Sequence, residues 1–314
     1  MNSGKQKFLV LGRAGLDLYA DPPGTRVEDA LMFKAALGGS AGNIAAGIAK
    51  LGFAVDLLTA VSDDAIGRYT LNELMKYSVG TQHVRAVAGE ARNSVAVVET
   101  RAENCQSVIY RNGAADFQLT EAHVQNIPYT DYHTLIVTGT ALAVEPSRSA
   151  TFKAMELGAQ AGLQIILDVD YRPYSWVSVP DARETCLRAA KLSTIVIGND
   201  DEFAVMGGGL ELAKSLKAEI VIYKMGAKGS VTFTKGGSFE TGIFKVQALK
   251  PTGAGDSFMA AFATSLAQGL DIKSSVHRGS AAAAIVVGRV GCAPAMPTQQ
   301  ELSDFMVTHA LSTL

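Results

Sequence analysis

Gly253, Ala254 and Gly255, followed by Asp256, set three small residues and a carboxylate directly before a largely apolar stretch over residues 258–270. Helix starts carry backbone N–H groups without intrahelical acceptors and the positive end of the dipole, so an anion such as a phosphate can settle in a small-residue turn there. A carboxylate beside a phosphate cradle can take the proton of an attacking hydroxyl, which is the chemistry of phosphoryl transfer. The same residues also describe an ordinary Gly-rich turn capped by Asp or Ser. The motif therefore needs partners elsewhere in the chain.

A second Gly-rich helix start, Gly38-Gly39-Ser40-Ala41-Gly42-Asn43, precedes Ile44, Ile48 and Leu51 at helical spacing. It satisfies Gly-x-Ser-x-Gly, the nucleophile-elbow pattern of α/β-hydrolases, with His277 or His309 as downstream base. That reading uses neither Asn43 nor the turn at Asp256. Lys224-Met225-Gly226-Ala227-Lys228-Gly229-Ser230 follows a strand. Its small residues would let backbone approach a phosphate and its lysines would supply charge, although a hairpin turn with solvated lysines has the same composition. Asn199-Asp200-Asp201-Glu202 also follows a strand and offers hard oxygen ligands for Mg²⁺ or its waters, in a pattern that equally caps a helix.

Other chemistries lose their support. The sequence has neither a Walker A motif nor Gly-x-Gly-x-x-Gly, and its five histidines, at 83, 123, 133, 277 and 309, lack metal-ligand spacing. Cys105, Cys186 and Cys292 contain no Cys-x-x-Cys pair, which argues against a disulfide framework or zinc site and fits a reducing, cytoplasmic compartment. A net charge of -2 without a dense Lys/Arg block makes nucleic acid an unsuitable partner. The start is polar, and no uninterrupted apolar run approaches the length of a membrane span. With 314 residues, 48% of them hydrophobic and 18% charged, the chain can bury a sizeable core.

These residues need elements to position them. Apolar runs at 8–12, 54–60, 135–138, 165–168, 194–197 and 220–223, with helical segments such as 147–162 and 181–191 among them, predict a mostly parallel sheet. A helix over 64–77 would bury Ile66, Tyr69, Leu71, Leu74 and Met75. Residues 94–99 and 105–110 predict one hairpin, and 231–234 with 239–246 another. Two Ala-rich helices follow the turn at Gly253, and a last helix starts at Thr298. One large α/β domain is expected over 1–314, with a small β excursion from approximately 17–37 and 94–111.

Taken together, these segments resemble the ribokinase-like, or phosphofructokinase-B type, family of small-molecule kinases over essentially the whole chain. The N-terminal signature matches residues 38–43, the C-terminal signature matches 250–258, and Asn-x-x-Glu falls on Asn199 and Glu202 between them. The resemblance implies a three-layer α/β/α sandwich with a mostly parallel central sheet and a small β-sheet lid. It implies Asp256 as catalytic base, with Gly253, Ala254 and Gly255 binding developing negative charge. Asp17, Gly39 and Asn43 match contacts to sugar hydroxyls. Asn199, Lys224, Gly226, Lys228 and Gly229 match the ATP-binding region, with Asn199 and Glu202 holding Mg²⁺ through water. Arg289 and Gly291 resemble a monovalent-cation loop for K⁺, but Lys250 stands where many relatives carry an Asp. Exposed lid strands would pair two copies into a homodimer.

Further stretches, among them residues 12–19, 21–25, 103–116 and 250–253, resemble the branch of the family that phosphorylates the terminal hydroxyl of a six-carbon keto acid. An anionic substrate needs cationic partners, and Arg111 and Arg172 sit where related sugar-acid kinases carry arginines. A kinase for 2-keto-3-deoxygluconate or fructose would share the same catalytic apparatus, and a silent sugar-binding regulator would share the fold.

Overall fold

The computed structural model describes residues 6–101 and 103–312. Its strands are β1 (Phe8–Leu11), β2 (Gly15–Asp21), β3 (Met32–Gly38), β4 (Val55–Ser62), β5 (Gly80–Val87), β6 (Val95–Val98), β7 (Ser107–Tyr110), β8 (Thr134–Thr138), β9 (Gln164–Asp168), β10 (Ile195–Asn199), β11 (Ile220–Lys224), β12 (Ser230–Thr234) and β13 (Gly237–Thr241). Its α-helices are α1 (Ser40–Lys50), α2 (Ala65–Lys76), α3 (Glu121–Val124), α4 (Ser147–Gln160), α5 (Val179–Leu192), α6 (Asp200–Val205), α7 (Leu210–Ser215), α8 (Ala254–Ala267), α9 (Ile272–Val287) and α10 (Gln299–Thr308). They fall into two compact units: the described residues through Gly12 with Phe117–Ile243, and Arg13–Asp116 with Phe244–Ser312.

In the first unit, seven strands run in the order β13-β12-β11-β10-β9-β8-β1. All pairs from β1 to β11 are parallel, and β12 and β13 add an antiparallel edge. Strands covered on both faces read as continuous apolar runs, and Leu9, Ile136, Ile166, Ile197 and Ile222 are fully buried. Register then sets the chemistry. Ile197 pairs with Asp168 and Asn199 with Lys224, so the carboxyl ends of β9, β10 and β11 bring Asp168, Asn199 and Lys224 to one edge of the sheet. That edge is where open α/β sheets bind ligands.

The second unit holds a four-stranded sheet in the order β3-β2-β6-β7, together with the parallel pair β4–β5. Its β2–β3 and β6–β7 pairs are antiparallel and β2–β6 is parallel. Helix packing is close. A Cβ on Gly47 of α1 would stand 2.8 Å from the Ala260 Cβ of α8, and one on Gly279 of α9 would stand 2.8 Å from the Phe258 ring.

Two elements differ from the sequence expectation. Along α2 the buried residues are Gly67, Thr70 and Leu74, whereas Ile66 and Met75 are exposed. Gly67 decides this, because a Cβ there would lie 1.8 Å from the Ser62 carbonyl, so the helix docks on its glycine face. The Thr70 hydroxyl is satisfied by donating to Ile66 O and accepting from Asn93 Nδ2. In the last hairpin, Thr234 pairs with Gly237, which leaves a two-residue turn and starts β13 earlier than the β-branched residues suggested.

Candidate active site

The site in the second unit grows from two helix starts. β3 ends at Gly38, Gly39 turns the chain at φ 89°, and Asn43 lies one turn into α1. A Cβ on Gly38 would stand 1.8 Å from Asp17 Oδ1, and one on Gly39 would stand 2.4 Å from the Arg13 carbonyl. Only glycine lets this turn close over the Asp17 carboxylate. At the other start, Gly253 caps α8 in the left-handed region at φ 86°, against Cys292 Sγ, which a Cβ would approach to 3.0 Å. Ala254, Gly255 and Asp256 form the first turn, with Asp256 half-buried.

Asn43 Nδ2 donates to Asp256 Oδ2 at 2.8 Å. Helix packing explains the meeting: Asn43 precedes Gly47 by four residues and Asp256 precedes Ala260 by four, so each lies one turn before the close helix–helix contact. Around them is a buried polar cluster. The Tyr19 hydroxyl donates to Asp17 Oδ2 at 3.0 Å and lies 3.3 Å from Cys292 Sγ. Arg13 Nη1 donates to Ser94 Oγ at 2.7 Å. Burial pushes the Asp17 carboxyl above its ordinary range, against the pull of Arg13, the Tyr19 hydrogen bond and Lys250. Burial also raises the Cys292 thiol to about 11, with Lys250 opposing it.

Four buried oxygens here have no hydrogen-bond partner among the described residues: Asp17 Oδ1, Asn43 Oδ1, Thr252 Oγ1 and Ser257 Oγ. Buried polar atoms are nearly always paired, so such a group is suited to a hydroxyl-bearing ligand. Arg111 is differently placed. Its Nε donates to Asp116 Oδ2 at 3.1 Å and its Nη2 bonds the same oxygen, in an ion pair whose side chains are each 4% exposed. Arg289 Nη2 pairs with Glu301 Oε1 at 2.8 Å, and Gly291 turns the chain beside it at φ 81°.

In the first unit, Asn199 and Glu202 form a capping box on α6. Asn199 Oδ1 accepts from the Glu202 N–H at 2.9 Å, and Glu202 Oε2 accepts from the Asn199 N–H at 2.7 Å. Burial raises the Glu202 carboxyl, with Lys224 pulling the other way. Arg172 is 43% exposed and pairs with buried Asp170, whose backbone has a positive φ of 37°. Gly226–Lys228 is a 3-10 turn between β11 and β12, closed by the Met225 N–H donating to Gly229 O at 2.8 Å, with Lys228 exposed. Among the described residues, no group of three or more His, Cys, Asp or Glu side chains forms a metal cage.

Sequence reasoning passed over Arg13, Tyr19 and Cys292. Tyr19 was within reach, since it lies two residues from Asp17 on a strand and shares its face. Cys292 reaches the cluster from 273 residues beyond Tyr19, and nothing near it in sequence marks that approach.

Comparison with known proteins agrees with this architecture. The model of the pfkB family of carbohydrate kinases matches residues 5–299. The 5-dehydro-2-deoxygluconokinase of Photobacterium profundum is 41% identical over 313 residues, covering 96% of this chain and 95% of that protein. A putative ribokinase II from E. coli, solved in complex with ATP and Mg²⁺, superposes with a TM-score of 0.88 at 20% identity, covering 97% of this chain and 100% of that one. A fructokinase double mutant from Vibrio cholerae O395, bound to fructose, ADP and a potassium ion, gives a TM-score of 0.85 at 23% identity over 98% of this chain and 100% of its own. These two structures establish the ribokinase-like α/β fold, with its mostly parallel sheet and small four-stranded sheet. The chain belongs to the pfkB family of carbohydrate kinases.

Proposed function

We propose that this carbohydrate kinase transfers the γ-phosphoryl group of ATP to the terminal C6 hydroxyl of 5-dehydro-2-deoxy-D-gluconate, a step of myo-inositol catabolism. The observation that carries the reading is the Asn43–Asp256 hydrogen bond beside the unpartnered oxygens of Asp17 and Asn43. Asp17, Gly39 and Asn43 hold the sugar hydroxyls. Asn43 orients the Asp256 carboxylate, which takes the proton from the attacking hydroxyl as the O–P bond forms and ADP leaves. The backbone N–H groups of Gly253, Ala254 and Gly255 face the negative charge that develops on the transferring group. Identity of 41% over nearly the full length with a 5-dehydro-2-deoxygluconokinase supports the choice of substrate.

That substrate carries a carboxylate. We assign its recognition to Arg172, part-exposed in its ion pair with Asp170, with Arg111 contributing charge from a pair already made with Asp116. Lys224, Gly226, Lys228, Gly229 and Asn199 bind the nucleotide. The donor set at Asn199 and Glu202, one amide oxygen and one carboxylate without a cage, fits Mg²⁺ held through its waters and the ATP phosphates. Bound there, Mg²⁺ would neutralise phosphate charge. We also read the exposed Leu31, Met32, Phe33, Val108 and Tyr110 on and beside β3 and β7 as the surface through which two copies pair.

An ADP-release assay over 5-dehydro-2-deoxygluconate, 2-keto-3-deoxygluconate and fructose tests the assignment. The expected result is a kcat/KM for the first that exceeds that for neutral fructose by about 10-fold or more, the worth of one charged contact, and that also exceeds that for 2-keto-3-deoxygluconate, which carries the same carboxylate and differs only in its keto and hydroxyl pattern. A preference for fructose would make the protein a fructokinase. Sugar binding without ADP release would make it a non-catalytic sugar-binding regulator.

A further inference from the structure

Among the described residues, Lys250 is the one lysine whose side chain is fully buried, with 0% exposure. Burying an ammonium is costly unless it is paired, yet among the described residues Lys250 forms no ion pair. Its Nζ instead donates to two backbone carbonyls, those of Thr252 and, at 3.4 Å, Val286. Asp256, Asp17 and the Cys292 thiol lie within its field. Something must hold this cation at the mouth of the anion turn, and the geometry says what it does there.

A trans peptide is planar, so its C=O and N–H point in opposite directions. Drawing the Thr252 carbonyl onto the ammonium therefore turns the N–H of Gly253 away from Lys250. That N–H belongs to the residue that caps α8, where helical geometry provides no acceptor. A cation that grips carbonyls on one side of the turn thus aims amide donors to the other, and adds its own positive charge to them. An exchangeable K⁺ in this place would need the same inward-turned carbonyls. It would also sit within a few ångströms of the ammonium, at a repulsion of about 1–4 kcal/mol at 4 Å. Arg289, cationic itself and paired with Glu301, supplies no ligand oxygen from its side chain. A potassium ion does not fit these residues.

We propose that Lys250 is a resident cation in the catalytic turn, a positioning residue that orients the Thr252–Gly253 peptide for phosphoryl transfer and makes turnover independent of added monovalent cations. The inference rests on the kinase reading. It is tested by the initial rate of the wild type at constant ionic strength in chlorides of potassium, sodium and tetramethylammonium, and by the same series on Lys250→Met, which keeps the buried volume. Wild-type rates should agree within about 2-fold. Lys250→Met should lose about 10²-fold in kcat, as expected for a misaligned oxyanion donor, and regain at least about 10-fold with K⁺, ammonium or methylammonium. Melting temperature gives a readout independent of activity: K⁺ should raise that of the variant and leave that of the wild type unmoved.

Activation of the wild type by K⁺ of about 10-fold or more would overturn the proposal, as would a Lys250→Met enzyme that no cation rescues or that keeps full rate in tetramethylammonium. If Lys250→Met does not fold, the wild-type series decides alone. Absence of ADP release by the wild type under every condition would instead defeat the kinase reading, so the two failures are distinguishable.

Discussion

Asn43 and Asp256, 213 residues apart in sequence, share a 2.8 Å hydrogen bond because each lies one turn ahead of the contact between Gly47 and Ala260. The amide is the donor, so it stabilises and orients the ionised carboxylate. Asn43→Ala should lower kcat about 10- to 100-fold, the worth of a hydrogen bond to a charged group, with a smaller rise in KM for the sugar. Steady-state kinetics at saturating ATP checks this. A change in KM alone would reduce Asn43 to a sugar contact.

Asp17 separates function from stability. Its carboxyl is raised by burial, so folding favours its protonated form relative to the unfolded chain. The stability tied to that proton is present below the unfolded value of 3.8 and is lost as pH rises through the folded value. At pH 8 the buried carboxylate therefore costs stability that Asp17→Asn removes. Thermal melts should show Asp17→Asn more stable than wild type at pH 8, with the gap closing near pH 4, while KM for the sugar rises about 10- to 100-fold. A variant less stable than wild type at pH 8 would contradict this.

The capping box at Asn199 and Glu202 makes a structural role and a metal role compete. Asn199→Ala should cost about 0.5–2 kcal/mol of stability through the lost cap. The proposed metal role adds a rise in the Mg²⁺ concentration needed for half-maximal rate. Titrating Mg²⁺ at fixed ATP distinguishes them, since a stability loss with an unchanged Mg²⁺ requirement leaves Asn199 as a helix cap only.

Carboxylate recognition is better tested at Arg172 than at Arg111. Removing Arg111 leaves Asp116 charged and buried, a loss of about 3–5 kcal/mol in a broken buried pair, which would obscure any effect on substrate. Arg172→Ala should lower kcat/KM for the sugar acid about 10-fold or more and leave the rate on a neutral sugar much less affected. Equal losses on both substrates would remove Arg172 from carboxylate recognition.

Much of this architecture was legible in the chain because its signals are local. Strands β8 to β11, buried on both faces, announce themselves as apolar runs, and the two glycine turns announce helix starts. The close approach of α1 to α8 at Gly47 leaves no mark in the sequence, since it becomes visible only when Ala260 faces it. The apolar side of α2 was misjudged for the same reason: Gly67 docks on Ser62 O, and no periodicity of large residues reports that. Asp256 and Asn43 are candidates from their Gly-rich helix starts and Asp17 from the family resemblance, whereas Arg13, Tyr19 and Cys292 join the cluster through tertiary contacts. Lys250 stood out in the sequence as an oddity, and its burial against two carbonyls gives it a part to play.

The central claim, that Asp256 accepts the proton of the attacking hydroxyl, is tested most directly by Asp256→Asn. The measurement pairs kcat for 5-dehydro-2-deoxygluconate with the dissociation constant for MgATP. Loss of general-base catalysis should lower kcat about 10²- to 10⁴-fold while MgATP affinity stays within about 3-fold of wild type. An Asp256→Asn enzyme that turns over at the wild-type rate would contradict the account.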